Sequence, residues 1–294
     1  MSAAARTLGA LLAVLVLSVR AEPLLFHDHG HGLSFSSDGK ALLAPSHAGL
    51  AAYQDGVWEE PSSSIEGFSG FTVTERAIYS SGHARAGAPS RPAVGLVQSA
   101  DGGRTWKSLA LAGEADFQLL AAGYRSNAIY ALNTRPNSAM PAPGLHVTHD
   151  EGKTWRHLVA RGLVGEIHGL AAHPRQAGTV AVATGRGLYL SRDTGESFLR
   201  LDGREPATAV AFDLDGKRVR YARALSNEVV EMALEGRARR ALRLPPLKLD
   251  YVTCLAQNPK DERVFAVATR RRDVYLTNDG GATWRKIAPD GDAP

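Results

Sequence analysis

The chain has a single cysteine, Cys254, among 294 residues, so it forms no internal disulfide. Cys254 sits in the strand-like run Tyr251-Val-Thr-Cys-Leu-Ala and reads as a small buried hydrophobe with no base beside it in sequence. An excess of charge of one sign is also lacking, with 34 Lys+Arg against 30 Asp+Glu. Residues 1–21 hold Arg6 and Arg20 and no acid, and without them the formal charge falls from +4 to +2. Such a balance gives no reason to expect nucleic acid as a partner. The clusters Arg237, Arg239, Arg240, Arg243 and Arg270, Arg271, Arg272 read as solvated faces. The only long apolar run is Leu8 to Val19, too short for a comfortable membrane span. A Gly-rich phosphate loop, a Ser-His-Asp order, a zinc-protease motif and a nucleic-acid motif are all missing.

The apolar run has a use of its own. Arg6 precedes it, Val19-Arg20-Ala21 follows as a cleavage site, and Glu22 would begin the mature chain. This is the pattern of a secretory signal peptide over 1–21, with an uncleaved anchor as the alternative. No cysteine follows the run to carry a lipid. The expectation is a periplasmic or secreted, monomeric protein with one domain over 22–294 and no membrane span after cleavage.

Glycine is plentiful, with 30 residues, alongside 15 prolines, which suits an all-β chain with many tight turns. Four segments share one pattern, Ser/Thr-x-Asp-x-Gly-x-Thr/Ser-aromatic. They run from Ser99 through Asp101 and Gly103 to Trp106, and from Thr148 through Asp150 and Gly152 to Trp155. The other two run from Ser191 through Asp193 and Gly195 to Phe198, and from Thr277 through Asp279 and Gly281 to Trp284. The aspartates are 49, 43 and 86 residues apart, and the last interval is twice the one before it. One repeat has therefore lost its signature, near Glu235-Gly236. A degenerate copy, Tyr53-Gln-Asp55-Gly56-Val-Trp58, precedes the first.

The pattern is turn chemistry. The carboxylate and hydroxyls accept from backbone N–H groups of their own loop. Glycine supplies the positive φ, and the aromatic packs between neighbouring sheets. Each unit holds four strand-like runs, the blade of a β-propeller. Units over 29–60, 66–110, 116–160, 166–203, 206–245 and 250–288 give six blades. Seven is the alternative if residues 23–27 take part in closure.

The boxes resemble the BNR/Asp-box repeats of sialidases, sortilin-type receptors and photosystem II assembly factors. A closer resemblance is to exported bacterial Asp-box propellers described as glycosylhydrolase-like. The stretches that carry this are His29-Gly-His31-Gly-Leu33, Ser81-Gly-His83, Gly95-Leu-Val-Gln-Ser99 and Gly113-Glu-Ala-Asp116-Phe117. A histidine often follows the Asp-Phe pair in that group; here the position is Gln118. The resemblance implies a fold and little about activity.

In a propeller, the starts of the innermost strands and the ends of the second strands share one face. The Asp-box turns lie on the other. Superposing the repeats on His31-Gly-Leu and His168-Gly-Leu pairs the innermost starts as His29/His31, Phe68/Gly70, Asp116/Gln118, Glu166/His168, Pro206/Thr208 and Tyr251/Thr253. Residues two apart share a side of a strand, so each pair can face the channel. The second-strand ends become His47, His83, Asn133, Arg186, Arg223 and Arg270. A metal site of His29, His31, His47, His83, Glu166 and His168 follows, with Zn²⁺ or Cu²⁺ as the ions suited to imidazole and carboxylate. The bland alternative is histidines bonded to backbone carbonyls in a narrow channel. His146, His149, His157 and His173 receive no role.

Two functions compete. The first is a non-enzymatic binding module whose His/carboxylate-rich mouth holds a metal ion, a small ligand or a periplasmic protein. The second is a sialidase-like glycoside hydrolase, with Asp116, Glu166 and Tyr251 as catalytic candidates. That chemistry requires three arginines around a carboxylate, and no segment supplies a clean set. Arg243-Leu-Pro245 is only a distant echo of the Arg-Ile-Pro motif. An assembly-factor role is a third reading, by fold analogy alone.

Overall fold

The computed structural model describes residues 32–45, 49–59, 65–84 and 92–288. They form six four-stranded antiparallel sheets, each with its strands in chain order from the centre outward. The sheets span 34–59, 65–110, 120–157, 167–202, 207–243 and 252–288. They are the blades of a six-bladed β-propeller, and their limits fall within a few residues of those read from the repeats.

Position in the blade decides composition. Second and third strands have a neighbouring blade on each face, so both sides of the strand are apolar. Val180–Thr184 and Gly187–Ser191 are buried at every residue. Outermost strands, such as Arg239–Arg243, bury one residue and leave the rest in water. Innermost strands, such as Ile167–Ala172, are half-buried because one side faces the channel.

The core is accordingly divided among the junctions. There are six hydrophobic clusters, one between each pair of adjacent blades. Box aromatics sit in them as expected. Trp106 packs on Phe68, Trp155 on Phe117 and Trp284 on Phe265, with ring centroids 5.4, 5.6 and 5.1 Å apart. Phe198 is buried between the third and fourth blades. Each box turn also has the bonds its sequence implies. Ser99 Oγ donates to Asp101 Oδ1 at 2.8 Å, and the Gly103 N–H donates to Ser99 Oγ at 2.8 Å. The Thr105 N–H and hydroxyl donate to the two Asp101 oxygens at 2.9 and 2.6 Å. The same four bonds recur around Asp150, Asp193 and Asp279.

The fifth blade has no box, and its third and fourth strands join through a turn at Gly236, as the doubled spacing implies. Among the described residues the ring closes by side-chain contact between the first and sixth blades, since each four-stranded blade is one contiguous stretch. Trp58 Nε1 donates to the Ile287 carbonyl at 2.9 Å, Arg285 to the Tyr53 hydroxyl at 2.8 Å and Asn258 to the Gly39 carbonyl at 2.8 Å.

Candidate functional site

The innermost strands carry a repeated irregularity. In the fourth blade Ile167 pairs with Thr184 and Gly169 with Ala183, which leaves His168 as an extra residue. Thr208 is extra in the same way in the fifth blade and Thr253 in the sixth. In the second blade Phe68 pairs with Gly82 and Phe71 with Ser80, so Ser69 and Gly70 stand against Ser81 alone. These are β-bulges, which re-aim a side chain relative to the pleat. The residue two before each bulge in blades four to six, Glu166, Pro206 and Tyr251, accepts at its carbonyl an N–H from Gly185, Ala224 and Arg270. Those bonds fix the strand starts against the second-to-third loops.

The bulges surround a cavity of about 750 Å³ at the strand-start end of the channel. Gln118, Glu166, His168, Thr208, Thr253 and Arg270 line it as polar groups, along with Tyr251 and Cys254. Its floor is a belt of one apolar side chain per blade: Leu33, Phe71, Leu120, Leu170, Val210 and Leu255. The same six line the far side of the belt, where the channel narrows to a space of about 160 Å³. The channel is therefore a polar-walled cup with an apolar base.

The sequence-derived site residues divide. His168 and Glu166 both line the cup, with His168 Nε2 3.9 Å from Glu166 Oε2. His83 Nδ1 lies 3.7 Å from Asp116 Oδ2, which also accepts from Gln118 Nε2 at 2.9 Å. The other Asp116 oxygen is buried without a partner. Of the two, Gln118 and not Asp116 lines the cup. Phe68 turns into the junction between blades one and two and is buried there, so it does not face the channel as its pairing with Gly70 implied. The bulge beside it breaks the two-residue alternation. Tyr251 lines the cup. His29, His31 and His47 lie outside the described residues. Among the described residues no three His, Cys, Asp or Glu side chains converge closely enough to hold a metal ion.

Of the rim arginines, Arg186 and Arg270 are exposed. Arg223 is occupied: its guanidinium reaches Asp202 at 2.6 Å and Glu228 at 3.3 Å. Cys254 is half-buried in the wall, and desolvation pushes its thiol up to about 11. It stays protonated at neutral pH and is a poor nucleophile.

Sequence reasoning missed two features. His173 is buried, and its Nδ1 accepts the N–H groups of Arg175 and Gln176 while Nε2 donates to the Gly216 carbonyl of the next blade at 2.9 Å. It is a neutral staple, and burial lowers its pKa. The second is a set of buried ion pairs in the fifth blade. Arg220 bonds Glu231 at 3.0 Å and lies 2.8 Å from Asp213, and all three are buried. The alternation Arg218-Val-Arg220 inside an apolar strand pattern was the available signal.

Solved structures share the fold. A GH74 enzyme from Niastella koreensis aligns with 90% of this chain and 46% of its own, at 14% identity and a TM-score of 0.58. An ancestral GH74 enzyme aligns with 90% of this chain and 40% of its own, at 14% identity and a TM-score of 0.54. A chain of the nidogen/laminin complex aligns with 86% of this chain and 95% of its own, at 11% identity and a TM-score of 0.64. This chain thus spans less than half the length of either GH74 enzyme. At such identities the likeness is one of fold. No family model matches the chain, and no curated protein matches it in sequence.

Proposed function

We propose that the chain is an exported, non-enzymatic binding module that receives a small ligand, or a projecting segment of a partner protein, in the cup. The cup itself carries this reading. Its volume of about 750 Å³ suits a small-molecule site, and the bulges present a series of hydrogen-bonding side chains into it. Those side chains do not amount to a hydrolytic set. Glu166 is 88% exposed at its side chain and stands in water, not in an enclosed pocket around a scissile bond. Asp116 is engaged by His83 and Gln118. With Arg223 paired, Arg186 and Arg270 are too few for a sialidase-like clamp. Enzymes and protein-complex components both carry the fold, so the fold alone decides neither.

A metal reading has one supporting observation. The segment His27-Asp-His-Gly-His31 runs directly into Gly32 and Leu33, which line the cup beside His168 and Glu166. Zn²⁺ or Cu²⁺ held there would draw on His29, His31, His47 and His83 as well.

The test uses the mature chain, 22–294. Chromogenic glycosides are expected to remain intact; turnover that disappears in Asp116→Asn or Glu166→Gln would overturn the non-enzymatic reading. Melting with zinc or copper chloride, in the parent and in the His29→Ala/His31→Ala variant, decides the metal. An unchanged melting temperature removes it. Export is checked by the N-terminal sequence of the protein recovered from the periplasm or medium, expected to begin at Glu22.

A further inference from the structure

The cup is polar at one level and apolar at another. Below the bulges the floor is closed by six apolar side chains, one from each blade. Leu33, Phe71, Leu120 and Val210 of this belt are themselves buried, so the base is firm as well as apolar. Around the wall stand the His168 imidazole, the Thr208 hydroxyl and the Arg270 guanidinium, whereas the Gln118 amide donates to Asp116 at 2.9 Å and the Thr253 hydroxyl to the Ala268 carbonyl at 3.3 Å. Thr208 is 6% exposed, and its hydroxyl has no hydrogen-bond partner. An unpaired buried hydroxyl in a cavity wall is costly unless a ligand or water completes it. Arg270 is exposed, and no ion pair to it occurs among the described residues. The negative group in the wall, Glu166, projects into solvent and has His168 beside it.

The polar groups are also unevenly placed. Blades four, five and six supply His168, Thr208, Thr253 and Arg270, and blade two presents Gly70 at the same level. In a ring of six, blade two lies opposite blade five. His168, Thr208 and Arg270 therefore stand together on one side of the cup, on consecutive blades.

We infer that the cup binds a small carboxylate that carries an apolar chain or ring, its anionic end at Arg270 and the bulge donors, its apolar body on the floor belt. This deepens the binding-module reading and rests on it. An arginine donates to both oxygens of a carboxylate, and the belt removes apolar surface from water. A cation has no comparable partner in the wall, since Glu166 is the one acid there and remains hydrated. A free small anion such as acetate would leave the floor unused.

Octanoate is the probe, compared with acetate, octanol and octylamine, by calorimetric titration and melting of the mature chain at constant ionic strength. Octanoate is expected to bind and to raise the melting temperature, at least about tenfold tighter than octanol or acetate, with octylamine weaker still. Arg270→Gln is expected to weaken octanoate about tenfold, as loss of a charge-assisted bond implies, and to leave octanol unchanged. Because Arg270 is exposed, that variant keeps the fold. Leu170→Asn, checked by circular dichroism, is expected to weaken octanoate and octanol alike. Equal binding of octylamine, or octanoate affinity indifferent to Arg270→Gln, overturns the ligand class. If no octyl compound binds but zinc or another solute binds in a way that His168→Ala abolishes, the class is wrong and the module reading stands. If nothing binds and a glycoside is hydrolysed, both fail.

Discussion

Asp193 accepts three hydrogen bonds within its own turn, from the Ser191 hydroxyl and from the N–H and hydroxyl of Ser197. The Ser197 hydroxyl is the largest of these influences, and together they hold the carboxyl down at about 2. Thr154 and Thr148 hold Asp150 at about 2 in the same way, and Asp101 and Asp279 lie lower still. The ordinary value is 3.8. A depressed folded-state pKa contributes stability above the unfolded value, and that stability is lost as pH falls through the folded one. The box turns should therefore give a stability profile that is flat above about pH 5 and declines steeply between about pH 4 and pH 2. Asp193→Asn is expected to remove up to about one proton from the uptake on unfolding near pH 3, read from the pH dependence of urea unfolding. An unaltered slope would mean that the turn does not hold the carboxylate. The glycine of the same box is under a second constraint. Gly195 has φ +78°, and a Cβ there would lie 2.4 Å from Leu158 Cδ1 of the preceding blade. Gly195→Ala should cost about 1–3 kcal/mol for overpacking, on top of the roughly 1 kcal/mol of a left-handed alanine. Gly236, in the turn that lost its box, has φ +75° with nothing near its missing Cβ. Gly236→Ala should therefore show only the smaller, conformational part in the same unfolding assay.

At the scale of the blade, the fifth is the informative one. Without a box it lacks the aromatic that elsewhere fills the junction with the preceding blade. Its second and third strands instead carry charge inward. Asp202 of blade four accepts from Tyr221 and Arg223. On the other face Arg220 lies between Asp213 and Glu231 and over the Phe265 ring, 4.7 Å from its centroid. Burial raises the Asp213 carboxyl even against the pull of Arg220 and Arg218. Removing one member of such a set strands its partners in a dry site, which costs more than the intact set contributes. Arg220→Ala should lose about 3–5 kcal/mol. Glu196→Ala, which breaks the exposed 2.6 Å pair with Arg156, should stay within about 1 kcal/mol. Urea unfolding of both variants checks the contrast, and equal losses would remove the argument from burial. This blade also marks the limit of what sequence conveys. Boxes are legible because every bond in them lies within four residues, and superposing them located the strand starts and hence Gln118 and the bulge residues His168, Thr208 and Thr253. The ion pairs escaped notice because they join different elements: Arg220 meets Glu231 and Asp213, 11 and 7 residues away, and Arg223 meets Asp202 of the preceding blade, 21 residues away. Phe68 was misplaced for a related reason, since a bulge changes which residues face the channel and leaves no mark in the alternation.

The ring as a whole has five junctions between consecutive blades and one between its ends. That last seam joins Trp58 to Ile287 across 229 residues of sequence. Bringing the ends together carries the loop-closure cost of nearly the whole chain, so the seam gains its contacts only after the other blades are stacked. Trp58 is buried and fills the seam as Trp155 fills the junction of blades two and three. Trp58→Ala should cost about 3–5 kcal/mol, and because the seam forms late the loss should appear mainly as faster unfolding. Trp155→Ala, at a local junction, should slow folding as well. Stopped-flow chevrons of the two variants separate the cases, and a matching fall in the folding rate for Trp58→Ala would show that closure precedes blade stacking. The seam also bears on the cup. Leu33 and Leu255, neighbours in the floor belt, lie on its two sides, and Arg270 belongs to the sixth blade. A carboxylate seated on that belt would touch both ends of the ring and bind the closed form in preference to the opened one. Saturating octanoate should therefore slow the unfolding of Trp58→Ala, which ties the occupant of the cup to the closure of the propeller.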